Sequence, residues 1–266
     1  MPKILRCENV TVRFGGVVAC KNISLSVEQG QVVGLIGPNG AGKTTVFNVL
    51  SRFQSVSEGH VYLHEQPVDR RRPDEMIGLG MARTFQNINL FHDLSTLDNI
   101  LLGAHRLAGD PVSSMYSLPP ARQRERAMHK RAHEIADLLR LTDEMDVVVK
   151  HLPYGIQKRV EIARALAGQP RIILLDEPVA GCNDEETAEL REVVRSVNRD
   201  LGVTILMVEH DMAMVMSACD YIYVVNFGAN LAEGTPTEVR SNPAVIKAYL
   251  GDEAGEDAAA AAEVAA

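Results

Sequence analysis

Gly37-Pro-Asn-Gly-Ala-Gly-Lys-Thr-Thr45 follows the P-loop pattern of a glycine, four free positions, and then glycine, lysine and serine or threonine. The apolar run Gln31–Ile36 before it is typical of a buried parallel strand, and Thr45–Leu50 after it continues as a predicted helix. A strand, a glycine-rich loop and a helix in this order are the context that the motif requires. The sequence therefore predicts an α/β fold built around this loop.

The residue types of the loop suit the binding of ATP. Gly37, Gly40 and Gly42 let the backbone curl so that N–H groups point inward, and the helix N-terminus adds partial positive charge. We expect Lys43 to reach the β- and γ-phosphates and the Thr44 hydroxyl to take one Mg²⁺ position. The alternative, a glycine-rich turn that binds nothing, fits the spacing and context poorly. The rest of the loop is included in the predicted cofactor site: Pro38, Asn39, Ala41 and Thr45.

The composition is that of an ordinary globular chain with an acidic balance. Of its 266 residues, 46% are apolar, which is enough for a sizeable core, and the formal net charge is −8. An acidic chain is not expected to have nucleic acid as its main partner, because that usually requires a basic face.

Cysteine usage and hydropathy indicate where the protein works. The four cysteines form no Cys-x-x-Cys pair, so they predict neither a zinc site nor a disulfide framework and favour a reduced compartment. No apolar stretch approaches the roughly 20 residues of a membrane-spanning helix, and no signal peptide is expected. Work at a membrane would therefore make this a peripheral subunit.

Two carboxylates end a second apolar run, Arg171–Leu175. Downstream of a P-loop, Asp176 is expected to hold Mg²⁺ directly or through water. Glu177, one residue on, would orient or deprotonate the attacking water. The alternative is a pair of acids on a loop at the end of a strand.

Two more residues are candidates because of their positions. His210 follows the predicted strand Val203–Val208, and sites in α/β sheets collect at the carboxyl ends of strands, although a lone histidine is often structural. Phe14 lies beside the predicted turn Gly15-Gly16, where it would either stack on an adenine ring or fill the core. These residues alone leave both alternatives open.

The periodicity divides the chain into an α/β part and a helical part. Residues 3–28 alternate like two strands, whereas residues 88–168 show helical spacing around a predicted loop at Gly109–Pro120. We predict a core of residues 1–87 and 169–251, with residues 88–168 inserted as a helical subdomain. Residues 252–266, acidic and alanine-rich, are predicted to be disordered.

Five motifs in order make the chain resemble an ATPase subunit of ABC transporters: Gly37–Thr45, Gln86, Leu152–Gln157, Asp176-Glu177 and His210. The resemblance covers about residues 3–251. It implies a P-loop NTPase, with a RecA-like core, an N-terminal antiparallel β subdomain and an inserted α-helical subdomain.

The resemblance also implies roles. The P-loop looks like Walker A, Ile172–Asp176 like Walker B, Glu177 like the catalytic base and His210 like the switch histidine. Gln86 looks like the Q-loop glutamine, a catalytic residue and Mg²⁺ ligand. Phe14 falls where the family places its adenine-stacking aromatic residue.

Two further motifs are expected to lie at or beside the nucleotide that a second subunit binds. Leu152–Gln157 looks like the signature, with Tyr154 and Gly155 as nucleotide contacts, and Ala180–Asn183 looks like the D-loop. The signature departs from the family pattern, because Pro153 stands in place of serine.

Secondary motifs are similar to those of the ATPase subunit of branched-chain amino acid importers: Arg83–Asn87, Glu209–Met212, Glu233–Pro236 and Asn242–Gly251. The resemblance implies a head-to-tail dimer with itself or a paralogue, attached to membrane permease subunits at the cytoplasmic face of the plasma (inner) membrane. A periplasmic or extracellular solute-binding protein would be an indirect partner. Transport of urea, short amides or another solute is one alternative, and a soluble ABC ATPase in DNA repair or translation is another. A P-loop kinase or GTPase is a third, which the absence of an Asn-Lys-x-Asp motif disfavours.

Overall fold

The computed structural model describes residues 2–105 and 119–249, with the side chains of residues 119–121 left out. The predicted tail and most of the predicted Gly109–Pro120 loop lie outside these residues. The described residues form two compact units, one made of residues 2–73 with 206–249 and the other of residues 74–105 with 119–205. The predicted bounds of the core and of the helical subdomain remain predictions.

The first unit begins with an antiparallel sheet. Strands β1 (Lys3–Phe14) and β2 (Val17–Glu28) pair around the predicted turn, and β4 (Glu58–Leu63) and β5 (Gln66–Pro67) complete the order β2-β1-β4-β5. Buried residues alternate along β2, as expected for a sheet with one face on the core. The predicted N-terminal antiparallel sheet is confirmed.

A second sheet in this unit carries the P-loop. Strand β3 (Val32–Ile36) is buried at all five positions and pairs in parallel with β9 (Tyr221–Asn226), which pairs antiparallel with β10 (Ala229–Gly234). Helix α1 (Lys43–Leu50) begins directly after the loop, so the predicted strand, loop and helix are all present. The strand β8 (Thr204–Val208) is adjacent to β3 in the sheet order.

The second unit is mainly helical. Strands β6 (Met81–Arg83) and β7 (Ile172–Asp176) pair in parallel, and the helices that surround them in sequence are α2 (Pro73–Gly78), α3 (Thr96–Gly103), α4 (Pro119–Leu138), α5 (Tyr154–Ala167) and α6 (Asp184–Leu201). The predicted loop ends earlier than expected, because α4 begins at Pro119, and proline suits the first turn of a helix. Ile100, Ile135 and Leu139 are fully buried in the helical core.

Two short helices complete the first unit, α7 (Met212–Ala218) and α8 (Pro236–Ser241). Helix α8 was not predicted from the sequence, although Thr235 and Glu238 form a capping box at its start. Residues 243–249 are also helical. Among the described residues, no helix is long and apolar enough to cross a membrane.

Candidate functional site

The P-loop is shaped by two glycines that no other residue could replace without strain. A Cβ on Gly37 would lie 2.1 Å from the backbone oxygen of Val225, so only glycine allows the loop to pass this close to β9. Gly42 is the N-cap of α1 with φ of 98°, in the left-handed region, and no side chain caps the helix. Backbone N–H groups at such a turn form a cradle for anions.

Lys43 is held against the loop that precedes it. Its side chain is largely buried, and Nζ donates to the backbone oxygens of Gly37 at 2.6 Å and Pro38 at 2.9 Å. The ammonium group therefore has a fixed place beside the glycine turn, while Asn39 and Thr44 are exposed. A fixed cation and an exposed hydroxyl group are donors of the kind that a polyphosphate requires.

Cys20 lies under the loop, a position that was not predicted from the sequence. Its Sγ contacts the backbone oxygen of Gly42 at 3.7 Å, and burial raises the pKa of the thiol to about 11. The group stays a protonated thiol at neutral pH and packs there as a small apolar side chain. No pattern in the sequence linked a residue of β2 to the loop.

Phe14 is 51% exposed at the end of β1. It therefore does not fill the core, which was one of the two alternatives for this residue. An exposed ring at the β1–β2 turn keeps the stacking role available.

Asp176 ends β7 as a buried carboxylate with a buried cationic partner. Arg83 Nη2 lies 2.8 Å from Asp176 Oδ2, and both side chains are only 8% exposed. The backbone N–H of Asp176 also donates to Thr84 Oγ1 at 3.3 Å. The sequence placed Arg83 in a motif similar to that of a subfamily but indicated no such pairing, because strand adjacency is not visible in one sequence.

Gln86 and Glu177, both predicted catalytic residues, are brought together in the second unit. Gln86 Nε2 donates to Glu177 Oε2 at 2.8 Å. Glu177 has φ of 48°, in the left-handed region that is uncommon for residues other than glycine. Such conformations cost free energy and are often found at functional sites.

His210 lies two residues after the end of β8 and is exposed, with 59% of its side chain accessible. The turn that presents it is organised by Glu209, whose fully buried carboxylate accepts the backbone N–H of His210 at 3.1 Å. Asp211 then caps α7 by accepting the N–H of Met214 at 2.7 Å. The imidazole is therefore accessible on a well-defined turn.

The signature residues form the start of α5. Pro153 is the N-cap and supplies no side-chain acceptor, whereas Glu186 Oε1 accepts the backbone N–H of Gly155 at 3.2 Å. Glu186 Oε2 also accepts the N–H of Asn183, closing a capping box on α6. One carboxylate thus joins the predicted signature to the end of the predicted D-loop. The spacing Asn183 to Glu186 was the available signal for the capping box, but nothing in the sequence indicated the contact with Gly155.

Comparisons with known proteins agree along most of the chain. A family model described as ABC transporter matches residues 20–180, and a model described as branched-chain amino acid ATP-binding cassette transporter matches residues 229–255. The chain is 43% identical to the high-affinity branched-chain amino acid transport ATP-binding protein BraF of Pseudomonas aeruginosa, over 94% of this chain and 98% of BraF.

Solved structures show the same fold. The ADP conformation of MJ1267, described as an ATP-binding cassette of an ABC transporter, superposes with a TM-score of 0.82 at 33% identity, covering 94% of this chain and 100% of that one. A dimeric post-hydrolysis structure of the ATP-binding cassette MJ0796, bound to ADP and Pi, gives a TM-score of 0.72 at 27% identity, over 87% and 98% of the two chains. These matches confirm the predicted α/β P-loop NTPase fold.

Proposed function

We propose, since the chain belongs to the ABC transporter family, that it is the ATP-hydrolysing subunit of an importer that takes up branched-chain amino acids. The observation that carries this proposal is the similarity to BraF, which extends over nearly the full length of both chains. The match of residues 229–255 to a branched-chain amino acid transporter model supports the same solute class.

The P-loop is proposed to hold the triphosphate of ATP. Its fit rests on the close passage of Gly37 past β9, the left-handed Gly42 and the fixed ammonium of Lys43. Phe14 would stack on the adenine, because its exposed ring leaves a face open to the base.

Thr44, Asp176 and Gln86 would hold Mg²⁺, which neutralises charge on the β- and γ-phosphates when it is bound. Hydroxyl, carboxylate and amide oxygens are hard ligands of the kind that Mg²⁺ prefers, and Mg²⁺ usually takes only one or two carboxylates besides water and phosphate. The described residues contain no cluster of three or more acidic, histidine or cysteine side chains that could hold a metal ion. Because Arg83 already pairs with Asp176, contact through water suits this carboxylate.

Glu177 is proposed as the general base that activates water for attack on the γ-phosphorus. Its hydrogen bond from Gln86 Nε2 fixes the orientation of the carboxylate. His210, exposed after β8, would act on the γ-phosphate side of the reaction. Positioning and charge are the protein's contribution, because hydrolysis needs no covalent intermediate.

Two such subunits, identical or paralogous, would form a head-to-tail dimer in which each signature helix faces the partner's nucleotide. The MJ0796 cassette, which is described as dimeric, supports the formation of a dimer. The dimer would attach to permease subunits at the cytoplasmic face of the membrane, and a solute-binding protein on the other side would act indirectly.

An apolar cavity of about 390 Å³ in the second unit suits the attachment of a permease segment. Its lining includes Ile77, Phe91 and Leu102, which are 41%, 57% and 39% exposed. Exposed large apolar side chains grouped on one surface mark interaction sites on soluble domains. This surface was not predicted from the sequence.

The proposal is tested by reconstituting the chain with the permease subunits and the second ATPase subunit that co-purify with it. ATP hydrolysis is then measured in the presence of solute-loaded binding protein. We expect stimulation by leucine, isoleucine or valine, and its loss in Glu177→Gln with ATP binding retained. The isolated chain should show no saturable binding of these amino acids in calorimetry. Stimulation by urea or an amide alone, or by nucleic acid, would contradict the proposed solute or the proposed role in transport.

A further inference from the structure

Lys158 is a buried cation on α5, the helix that begins with the signature. It is 2% exposed, and Nζ donates to the backbone oxygen of Gln86 at 3.0 Å and approaches that of Glu177 at 3.5 Å. A buried ammonium group is costly unless it is hydrogen-bonded, and these carbonyl groups provide its acceptors. The helix is therefore joined to both proposed catalytic segments of its own unit.

These contacts close a ring of three residues. Lys158 binds the main chains of Gln86 and Glu177, and the side chains of these two residues bind each other at 2.8 Å. Because Glu177 is held at φ of 48°, its surroundings must fix that conformation, and Lys158 contacts its carbonyl oxygen.

Glu161, one turn further along α5, supports the same connection. It is 3% exposed, and burial raises the pKa of its carboxyl group, against the opposing effects of Lys158 and of the backbone N–H groups of Phe85 and Asn89. Phe85 and Asn89 flank Gln86 on either side. The helix thus approaches this loop from two positions, Lys158 and Glu161.

We infer that Lys158 is a positioning residue that couples the signature helix to the Gln86–Glu177 contact of the same subunit. The inference rests on the proposed function, in which the start of α5 faces the nucleotide of the partner. A displacement of α5 on binding that nucleotide would pass through Lys158 to the proposed base of this chain. Lys158 would thereby make hydrolysis at one site depend on ATP at the other.

The test compares Lys158→Met with the parent chain in the reconstituted transporter, with MgATP as the probe. Methionine has nearly the same length but no charge and no donor. We expect the maximal rate to fall about tenfold or more, as for the loss of a hydrogen bond from a charged group, and the Hill coefficient for ATP to fall toward one. The affinity of the isolated chain for ATP should stay within about twofold, because its P-loop is unchanged.

Arg159→Met is the matched control, since Arg159 is the next residue on the same helix and is also a buried cation. It donates to the backbone oxygens of Leu139 and Arg140 at 3.5 and 3.4 Å and pairs with Glu189. None of these acceptors belongs to the Gln86 loop. Its replacement should lower stability but leave the maximal rate and Hill coefficient near those of the parent.

Hydrogen–deuterium exchange gives a readout that does not depend on activity. Exchange in residues 84–90 and 177–181 should accelerate in Lys158→Met and not in Arg159→Met. Lys158→Arg, which keeps the charge and donors, should recover most of the rate and protection.

Parental rate, Hill coefficient and exchange in Lys158→Met would overturn the inference while leaving the proposed function in place, because the parent complex would still hydrolyse ATP. A parent complex without solute-stimulated hydrolysis would instead refute the proposed function. If Lys158→Met does not fold, Lys158→Gln, whose side chain is shorter and uncharged, must show the same losses. Parental behaviour of Lys158→Gln would also overturn the inference.

Discussion

The helices α1 and α5 both begin at a predicted nucleotide motif, yet their N-termini are finished in opposite ways. Neither N-cap, Gly42 or Pro153, supplies a side-chain acceptor. At α1 the first helical residue is Lys43, whose ammonium group lies on the preceding loop. At α5 the carboxylate of Glu186 accepts the N–H of Gly155.

Any helix N-terminus attracts anions, but the charged side chains beside it decide which anion it can bind. The start of α1 has a fixed cation beside it and is suited to the highly charged triphosphate. The start of α5 is already stabilised by an anion of its own chain. A phosphate brought by a second subunit would have to share this N-terminus with Glu186 or displace it.

The largest effect is expected for ATP binding at the start of α1. Lys43→Ala removes the cation from the P-loop, so ATP affinity should fall at least about a hundredfold, which is about 2.7 kcal/mol. Calorimetric titration with MgATP measures this. Lys150→Ala is a suitable control, because Lys150 is an exposed lysine paired with Asp93 outside the loop. Equal affinity in Lys43→Ala and the parent would contradict the P-loop assignment.

Pro153→Ser alters the α5 side by supplying the hydroxyl that the family pattern has there. Turnover of the assembled transporter should rise, with the gain at the partner's P-loop, because a hydroxyl donor to a phosphate is added. Since Glu186 already stabilises the helix start, we expect a gain of about two- to tenfold rather than the full effect of a charged hydrogen bond. Unchanged turnover with rate-limiting chemistry would show that the helix start already fulfils the role of the serine.

Glu186→Ala measures what the carboxylate contributes to folding. It should lower the free energy of unfolding by about 1–2 kcal/mol, because the capping box and the contact with Gly155 are both lost. Glu238→Ala is the matched control, since Glu238 forms the equivalent capping box with Thr235 at α8. Chemical denaturation of both variants should show the larger loss for Glu186→Ala, and equal losses would mean that the Gly155 contact adds nothing.

The smallest expected effect is a difference in alkylation rate between two thiols, Cys20 at the P-loop and Cys182 in the predicted D-loop. Burial raises the pKa of Cys20 to about 11, so at pH 8 only about one molecule in a thousand carries the reactive thiolate. Cys182, near the start of α6, is half-buried. Limited iodoacetamide treatment followed by peptide mass spectrometry should therefore label Cys182 before Cys20. Faster labelling of Cys20 would show that the loop region opens readily.

Much of this protein could be predicted from local patterns. The strand, glycine loop and helix around Lys43 depend on neighbouring residues in the chain, and so do the antiparallel N-terminal strands and the apolar run that ends in Asp176. The order of the motifs was sufficient to indicate the family, because each motif is a short contiguous stretch with a fixed chemical purpose. Confirmation came from relatives and structures that cover most of the chain.

The pairings around the site depended on distance in space and not on spacing in the sequence. Arg83 and Asp176 meet because β6 and β7 are adjacent, and Glu186 reaches Gly155 although 31 positions separate them. The contact of Lys158 with Gln86 spans 72 positions. One sequence shows which side chains can pair, but folding chooses among the many carboxylates, cations and carbonyl groups by bringing a few of them within hydrogen-bonding distance. The sequence motifs thus determined which chemical groups this protein has for its reaction. The contacts that would make the motifs act together depend on the packing of strands and helices that are far apart in the chain.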